Sequence, residues 1–231
     1  MHISDGILPV PFWLGGYGLT AVITAHSLRR PEGRDPRRQL PKAALLTAAF
    51  FVASSIYLPL PPTSVHLLLN GLMGVMLGAL AYPAILVGLF FQVATFGHGG
   101  LTTLGINAAI IGIPALLAGA LFRVGRCRLG IGFSAFWAGA VGVGLAVLLF
   151  YAVLLVALSG SGTLSPEAEH LALSSLVVAH IPLMVVEGMF TGWVVLFLQR
   201  VQPELLSDGE SLPQVLAEPV DPTSALPPGR S

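Results

Sequence analysis

The chain has 231 residues, of which 55% are hydrophobic and only 10% charged, with a mean hydropathy of +0.84. A water-soluble domain carries about a quarter charged residues, so this balance excludes an ordinary soluble fold and indicates a polytopic membrane protein. Eleven basic and eleven acidic residues cancel, and no basic stripe with interleaved aromatics occurs, so lipid is an expected partner and nucleic acid is not.

The chain opens Met1-His2, and no basic segment precedes its first apolar run, so no cleavable signal is expected. Runs of about 20 apolar residues mark spans. They predict helices at 7–28, 41–58, 64–81, 83–97, 105–124, 131–158 and 171–199. The fourth is short, bounded by Tyr82-Pro83 and Gly97-His98-Gly99-Gly100, and reads as tilted or re-entrant. The expectation is an all-α, polytopic membrane helical bundle of about seven transmembrane helices, forming one membrane-embedded domain over 1–202. Residues 203–231, rich in Pro, Ser and acids, read as a disordered cytoplasmic tail.

Cationic residues orient this layout. Arg29, Arg30, Arg34, Arg37, Arg38 and Lys42 lie between predicted helices one and two, Arg123, Arg126 and Arg128 between five and six, and Arg200 closes helix seven. If seven helices alternate, all of these share one side, which the positive-inside rule makes cytoplasmic. The N-terminus is then outside and the C-terminus inside the cell (inner) membrane. Gly71, Gly74 and Gly78 form a small-residue ridge, and Ala21 with Ala25 another, each inviting close helix contact.

The outer face then collects the chemistry. A terminal amine, the His2 amide nitrogen and the His2 imidazole can wrap one metal in fused five- and six-membered rings. His2 is large, so the initiator Met1 is expected to stay. His66 stands at the outer start of predicted helix three, where Thr63 or Ser64 could cap the helix. Four nitrogens from Met1, His2 and His66 suit Ni²⁺ or Co²⁺; the alternative is an interfacial histidine bonded to a loop. His98, flanked by glycines, reads as a ligand, a group orienting one, or a polar loop residue. Asp5 is either a turn former or a carboxylate steering an imidazole. Among polar residues inside the spans are Asn70, Gln92, Asn107, His180 and Glu187; His180 and Glu187 share a helix face, either pairing structurally or serving the site.

Cys127 is alone, so no disulfide or cysteine cluster is available, and no phosphate-loop, zinc-protease or serine-hydrolase motif occurs. An enzyme is not expected, nor a cofactor beyond a transported ion. A stand-alone proton-coupled metal transporter or channel, with His180 and Glu187 as relay, is the competing reading.

Met1-His2-Ile3-Ser4-Asp5-Gly6-Ile7-Leu8-Pro9, Ser64-Val65-His66-Leu67, Phe96 through Gly105 with Asn107, and His180-Ile181-Pro182 leading to Glu187-Gly188 together resemble the CbiM/NikM family. This is the substrate-binding membrane component of energy-coupling-factor transporters for cobalt and nickel. The resemblance implies about seven helices with the N-terminus lining an outward-facing pocket. There the ion would be held by the Met1 amine, the His2 amide and imidazole, and the His66 imidazole. It further implies partners: a transmembrane coupling subunit, cytoplasmic ATPase subunits and often a small accessory membrane subunit.

Overall fold

The computed structural model describes residues 2–29, 36–60, 63–158 and 166–206. Among them are seven α-helices: α1 (Val10–Arg29), α2 (Pro36–Ser55), α3 (Asn70–Leu77), α4 (Ala81–Phe96), α5 (Leu104–Leu129), α6 (Ile131–Leu158) and α7 (Pro166–Val201). Helix-rich membrane architecture follows from the solvent, because in hydrocarbon every backbone polar group must be satisfied within the segment. Among the described residues, four stretches are long and apolar enough to cross a bilayer: Asn70–Phe96, Leu104–Leu129, Ile131–Ala157 and Val177–Val201. Large apolar side chains such as Leu148, Met189, Trp193 and Phe197 point outward, as lipid contact requires.

The main departure from the predicted helices is the third. Residues 63–66, expected to open a helix over 64–81, instead form a strand, β2 (Thr63–His66), paired antiparallel with β1 (Tyr57–Leu60) in the register Tyr57 to His66. Hydropathy reports transfer to lipid, not backbone conformation. Pro59 lacks an amide proton, and β-branched Thr63 and Val65 favour extended backbone. The helix starts only at Asn70, and its eight residues rise about 12 Å, too little to cross a bilayer alone. Thr63 and Ser64 therefore do not cap it. Its N-cap is Leu69, in a left-handed conformation at φ 47°.

The core around α3 is built on close backbone contact. A methyl group added at Gly71 would come within 2.5 Å of the Gly139 Cα on α6, and one at Gly74 would overlap the Ala115 carbonyl on α5. Small residues thus let α3 wedge between α5 and α6, with α7 behind Gly139. Gly78 continues the predicted ridge only in sequence, since it ends α3 at φ 56° and leads into a 3-10 turn. Ala21 and Ala25 lie on the outer face of α1. Elsewhere Thr20 ties three helices together, its hydroxyl donating to the Gly105 carbonyl at 2.7 Å and lying 2.8 Å from the Tyr82 hydroxyl.

Of the expected disordered tail, residues 203–206 are described: Pro203–Leu205 form a 3-10 turn, and Lys42 Nζ donates to the Leu205 carbonyl. Ring closure of Pro203 presets its φ for such a turn. The rest of the expected tail, 207–231, lies outside the described residues, as do Arg30, Arg34 and Met1.

Candidate metal centre

The N-terminal segment is threaded into the bundle by side chains that imitate a backbone partner. Asn107 on α5 accepts the Ile3 amide proton at 2.9 Å and returns a bond to the Ile3 carbonyl at 2.9 Å, which Thr103 Oγ1 also reaches at 2.6 Å. Ile3 is buried, so these bonds satisfy groups that would otherwise be costly to leave unpaired. Two residues on, Asp5 accepts from the amides of Leu101 (3.2 Å) and Thr102 (2.9 Å) and from the Thr102 hydroxyl. The glycine-rich loop is thereby fastened over the segment. Close approach needs its glycines: a methyl on Gly100 would overlap the Asp5 carboxylate, and Gly99, at φ +80°, would bring one to 3.2 Å from Asn107 Nδ2.

His66 reaches the same place from the hairpin. The rings of His2 and His66 stack at a centroid distance of 5.1 Å and 16° between planes. His66 is buried, and its Nδ1 lies 3.3 Å from the Leu67 carbonyl, which can only accept; Nδ1 therefore carries the proton and Nε2 the lone pair. Behind it, the buried Glu187 carboxylate of α7 accepts the Leu68 amide proton and that of Leu69 at 3.0 and 3.1 Å. This clamps the second and third residues after the histidine and supplies the acceptor that the start of α3 lacks.

Burial sets the electrostatics. It pushes His66 down to about 3, with like charge on His180 and His98 adding to the effect and the Leu67 bond opposing it. Burial also holds His2 well below its ordinary value, with His66 and His98 contributing repulsion. Four of the six histidines thus feel one another, and the two that stack remain neutral at physiological pH. Neutral imidazole is the form that ligates a metal. Among the described residues no three His, Cys, Asp or Glu side chains converge tightly enough to hold an ion by themselves.

A family model described as the cobalt uptake substrate-specific transmembrane region, CbiM, matches residues 2–205. The chain belongs to the CbiM family. A Haemophilus influenzae protein named for metal transport is 36% identical over 221 residues, covering 91% of this chain and 99% of its own. The fused nickel transport protein NikMN of Rhodobacter capsulatus is 31% identical over 229 residues, 90% of this chain and 64% of the fusion. A crystal structure of a truncated transition metal transporter shares the fold, with a TM-score of 0.76 at 22% identity over 87% of this chain and 99% of that one. This CbiM-family chain is accordingly a multi-pass membrane protein of a cobalt and nickel transport family.

Within this chain, His2 and His66 meet, while Met1 lies outside the described residues. His98 is half-buried beside them, its ring 5.9 Å from that of Phe96, and His180 is buried on α7 within electrostatic reach of His66. Asp5 combines the two readings differently from expectation: it sits in a turn, but its carboxylate bonds the Leu101 and Thr102 amides. Sequence reasoning gives Ser54 no role and takes Thr103 only as part of the segment from Phe96 to Gly105. A hydroxyl pair near the end of an apolar helix (Ser54-Ser55) and the Thr102-Thr103 pair beside the glycine loop were the available signals.

Proposed function

We propose that this chain is the substrate-capture component of an energy-coupling-factor importer for divalent cobalt or nickel. The observation that carries the reading is the stacked His2–His66 pair, held at the mouth of a threaded N-terminal segment. Two imidazoles do not complete a site. The remaining donors on this reading are the Met1 amine and the deprotonated His2 amide, which give a four-nitrogen set suited to Ni²⁺ or Co²⁺. His98, Asp5 and His180 surround the ion without being assigned to it: Asp5 fastens the loop, and the two histidines shape the local charge. The N-terminus faces outside, seven helices cross the membrane and the C-terminus is cytoplasmic, consistent with the cationic residues of 29–42, 123–128 and Arg200.

Capture on this reading begins with the N-terminal segment undocked. The ion displaces the amine and amide protons, the His2 and His66 rings close on it, and the Asn107 and Asp5 contacts fasten the loop. The chain itself carries no phosphate-binding loop, so the energy for transport comes from cytoplasmic ATPase subunits through a transmembrane coupling subunit. The NikMN fusion supports a further, small membrane partner.

The test compares Ni²⁺ and Co²⁺ content and affinity of purified protein with an unblocked Met1, protein with an N-terminal extension, and His66→Ala. Loss of at least about 100-fold in both altered forms is expected, since each removes first-hand ligands. His26→Ala, altering an exposed residue of α1, should bind normally. Undiminished affinity in both altered proteins would overturn the reading.

A further inference from the structure

The amide of Gln92 is oriented by its surroundings. Gln92 lies on α4 and is 1% exposed. Its side chain meets the Ser54 hydroxyl, and that hydroxyl spends its single proton on a backbone carbonyl of α2, Phe50. Ser54 can therefore only accept from Gln92, which makes the end of the amide facing Ser54 the NH₂ group. The oxygen, Oε1, must then face the other way. There it is buried, with no partner in ordinary hydrogen-bond geometry. The Gln92 side chain is also near enough to His2 to favour that ring's protonated form. His2 Nε2 is itself buried and lacks a partner of ordinary geometry.

If these two buried atoms pair with each other, only one protonation pattern is compatible. If Nε2 carried a lone pair, two acceptors would oppose each other. If it carries the proton, an N–H meets a carbonyl oxygen and both are satisfied. We propose that Gln92 is a positioning residue for metal capture: its Oε1 accepts the Nε2–H of His2, fixing the tautomer that leaves Nδ1 for the ion. This rests on the capture reading above and deepens it.

Chelate geometry requires the same nitrogen. The ring closed by the amide nitrogen, Cα, Cβ, Cγ, Nδ1 and the metal has six members, whereas Nε2 lies on the far side of the imidazole and cannot close a ring of that size with its own amide. His66 is set in the opposite sense, its Nδ1–H committed to the Leu67 carbonyl. On this proposal the two stacked rings present complementary nitrogens, Nδ1 from one and Nε2 from the other, each chosen by a carbonyl oxygen bonded to the ring's other nitrogen. The Gln92 backbone contributes as well, its carbonyl accepting the His98 amide at 3.4 Å.

The experiment uses full-length protein with an unblocked Met1, ¹⁵N-labelled at histidine, titrated with Ni²⁺ alone. In the nickel-loaded protein the His2 Nε2 should resonate as a protonated nitrogen with a slowly exchanging proton. Gln92→Leu, which keeps the volume but removes the acceptor, should weaken Ni²⁺ binding roughly ten- to hundredfold and expose that proton to exchange. Gln92→Glu, which keeps an acceptor oxygen, should restore affinity to within about threefold. A merely structural Gln92 would predict equal loss in both variants together with an unchanged imidazole signal, and that result overturns the proposal. So does a wild-type spectrum in which Nε2 bears the metal and Nδ1 the proton, whether or not Gln92→Leu folds. Failure of the capture reading is distinguishable, because wild type would then bind no Ni²⁺ or would bind it unaffected by His66→Ala.

Discussion

The rim around His2 and the waist around α3 are held by different forces. At the rim, a short segment is fastened by directional bonds: Asn107 and Thr103 to Ile3, and Asp5 to Leu101 and Thr102. At the waist, Gly71, Gly74, Gly119 and Gly139 bring helix backbones into direct contact. Water can replace each rim bond, so the segment has a low-cost way out. Nothing replaces interlocked backbone surfaces in lipid, where helices gain little from hiding apolar area and depend on packing. The waist is a frame, and the moving part belongs at the rim.

Breaking the waist should have the largest effect. Gly74→Ala places a methyl on the Ala115 carbonyl and within 3.0 Å of the Gly119 nitrogen one turn further along α5. Overpacking of this kind costs about 1–3 kcal/mol or more, and two backbones must separate to relieve it. Gly74→Ala should show a clear drop in melting temperature in detergent and poor recovery of monodisperse protein. Gly18→Ala on α1, where a methyl meets nothing within 4 Å, should behave as wild type. Equal behaviour of the two would erase the distinction between waist and surface.

Breaking the rim should spare the frame. Asn107→Leu leaves the Ile3 amide proton without its acceptor and removes one of two donors to the Ile3 carbonyl. An unsatisfied buried group costs about 1–3 kcal/mol, and the cost falls on the docked state of the segment. Ni²⁺ affinity should fall about ten- to hundredfold, since apparent affinity scales with the fraction able to bind, with a melting temperature near that of wild type. A thermal loss as large as that of Gly74→Ala would mean that the rim is part of the frame after all.

These two regions also differed in how far the sequence revealed them. The limits of α6, 131–158, coincide with its apolar run, and α5 begins within a residue of expectation, because apolar runs between polar or glycine-rich segments carry that information locally. The 63–66 strand was missed because the same apolar residues suit a strand or a helix, and the proline-rich turn beside them counted as a helix start. His2 and His66 could be put on one membrane face by counting spans and charges. Their stacking could not, and neither could the bond between Ile3 and Asn107, which joins residues 104 apart. Glu187 stood out as an intramembrane acid, yet its work on the Leu68 and Leu69 amides has no local pattern to announce it.

Proton competition sharpens the rim from another side. With the segment docked, burial holds His66 at about 3, so that ring has no proton to release between pH 5 and 7, and burial shifts His2 in the same direction. On the capture reading, the protons released in that window come from the terminal amine, ordinarily near 8, and the amide. Affinity should therefore fall as pH falls, with log K changing by about two per pH unit between 5 and 6. Imidazoles titrating near their usual 6.5 would steepen this towards four. Competition with a chelator of known pH dependence measures the slope, and a value near four would mean that the undocked, solvated state predominates without metal rather than being a minor state through which the ion enters.

The smallest effect is expected at Asp5, whose carboxylate is exposed although well bonded. Bonds from the Thr102 hydroxyl, and then from the Thr102 and Leu101 amides, lower its pKa from 3.8. A depressed carboxylate stabilises the closed loop fully above the ordinary value and loses that contribution as pH falls through the lower one. The fastening is thus complete throughout the physiological range. Asp5→Asn keeps one acceptor oxygen and loses the charge, and water screens what remains, so Ni²⁺ release into excess chelator should quicken only about two- to fivefold. The variant should also lose any change in release rate below pH 4 that wild type shows. If Asp5→Asn matched Asn107→Leu in affinity loss, the loop and the threaded segment would open as one unit. A small effect on release alone would mean that the loop lifts first, with Ile3 still docked against Asn107.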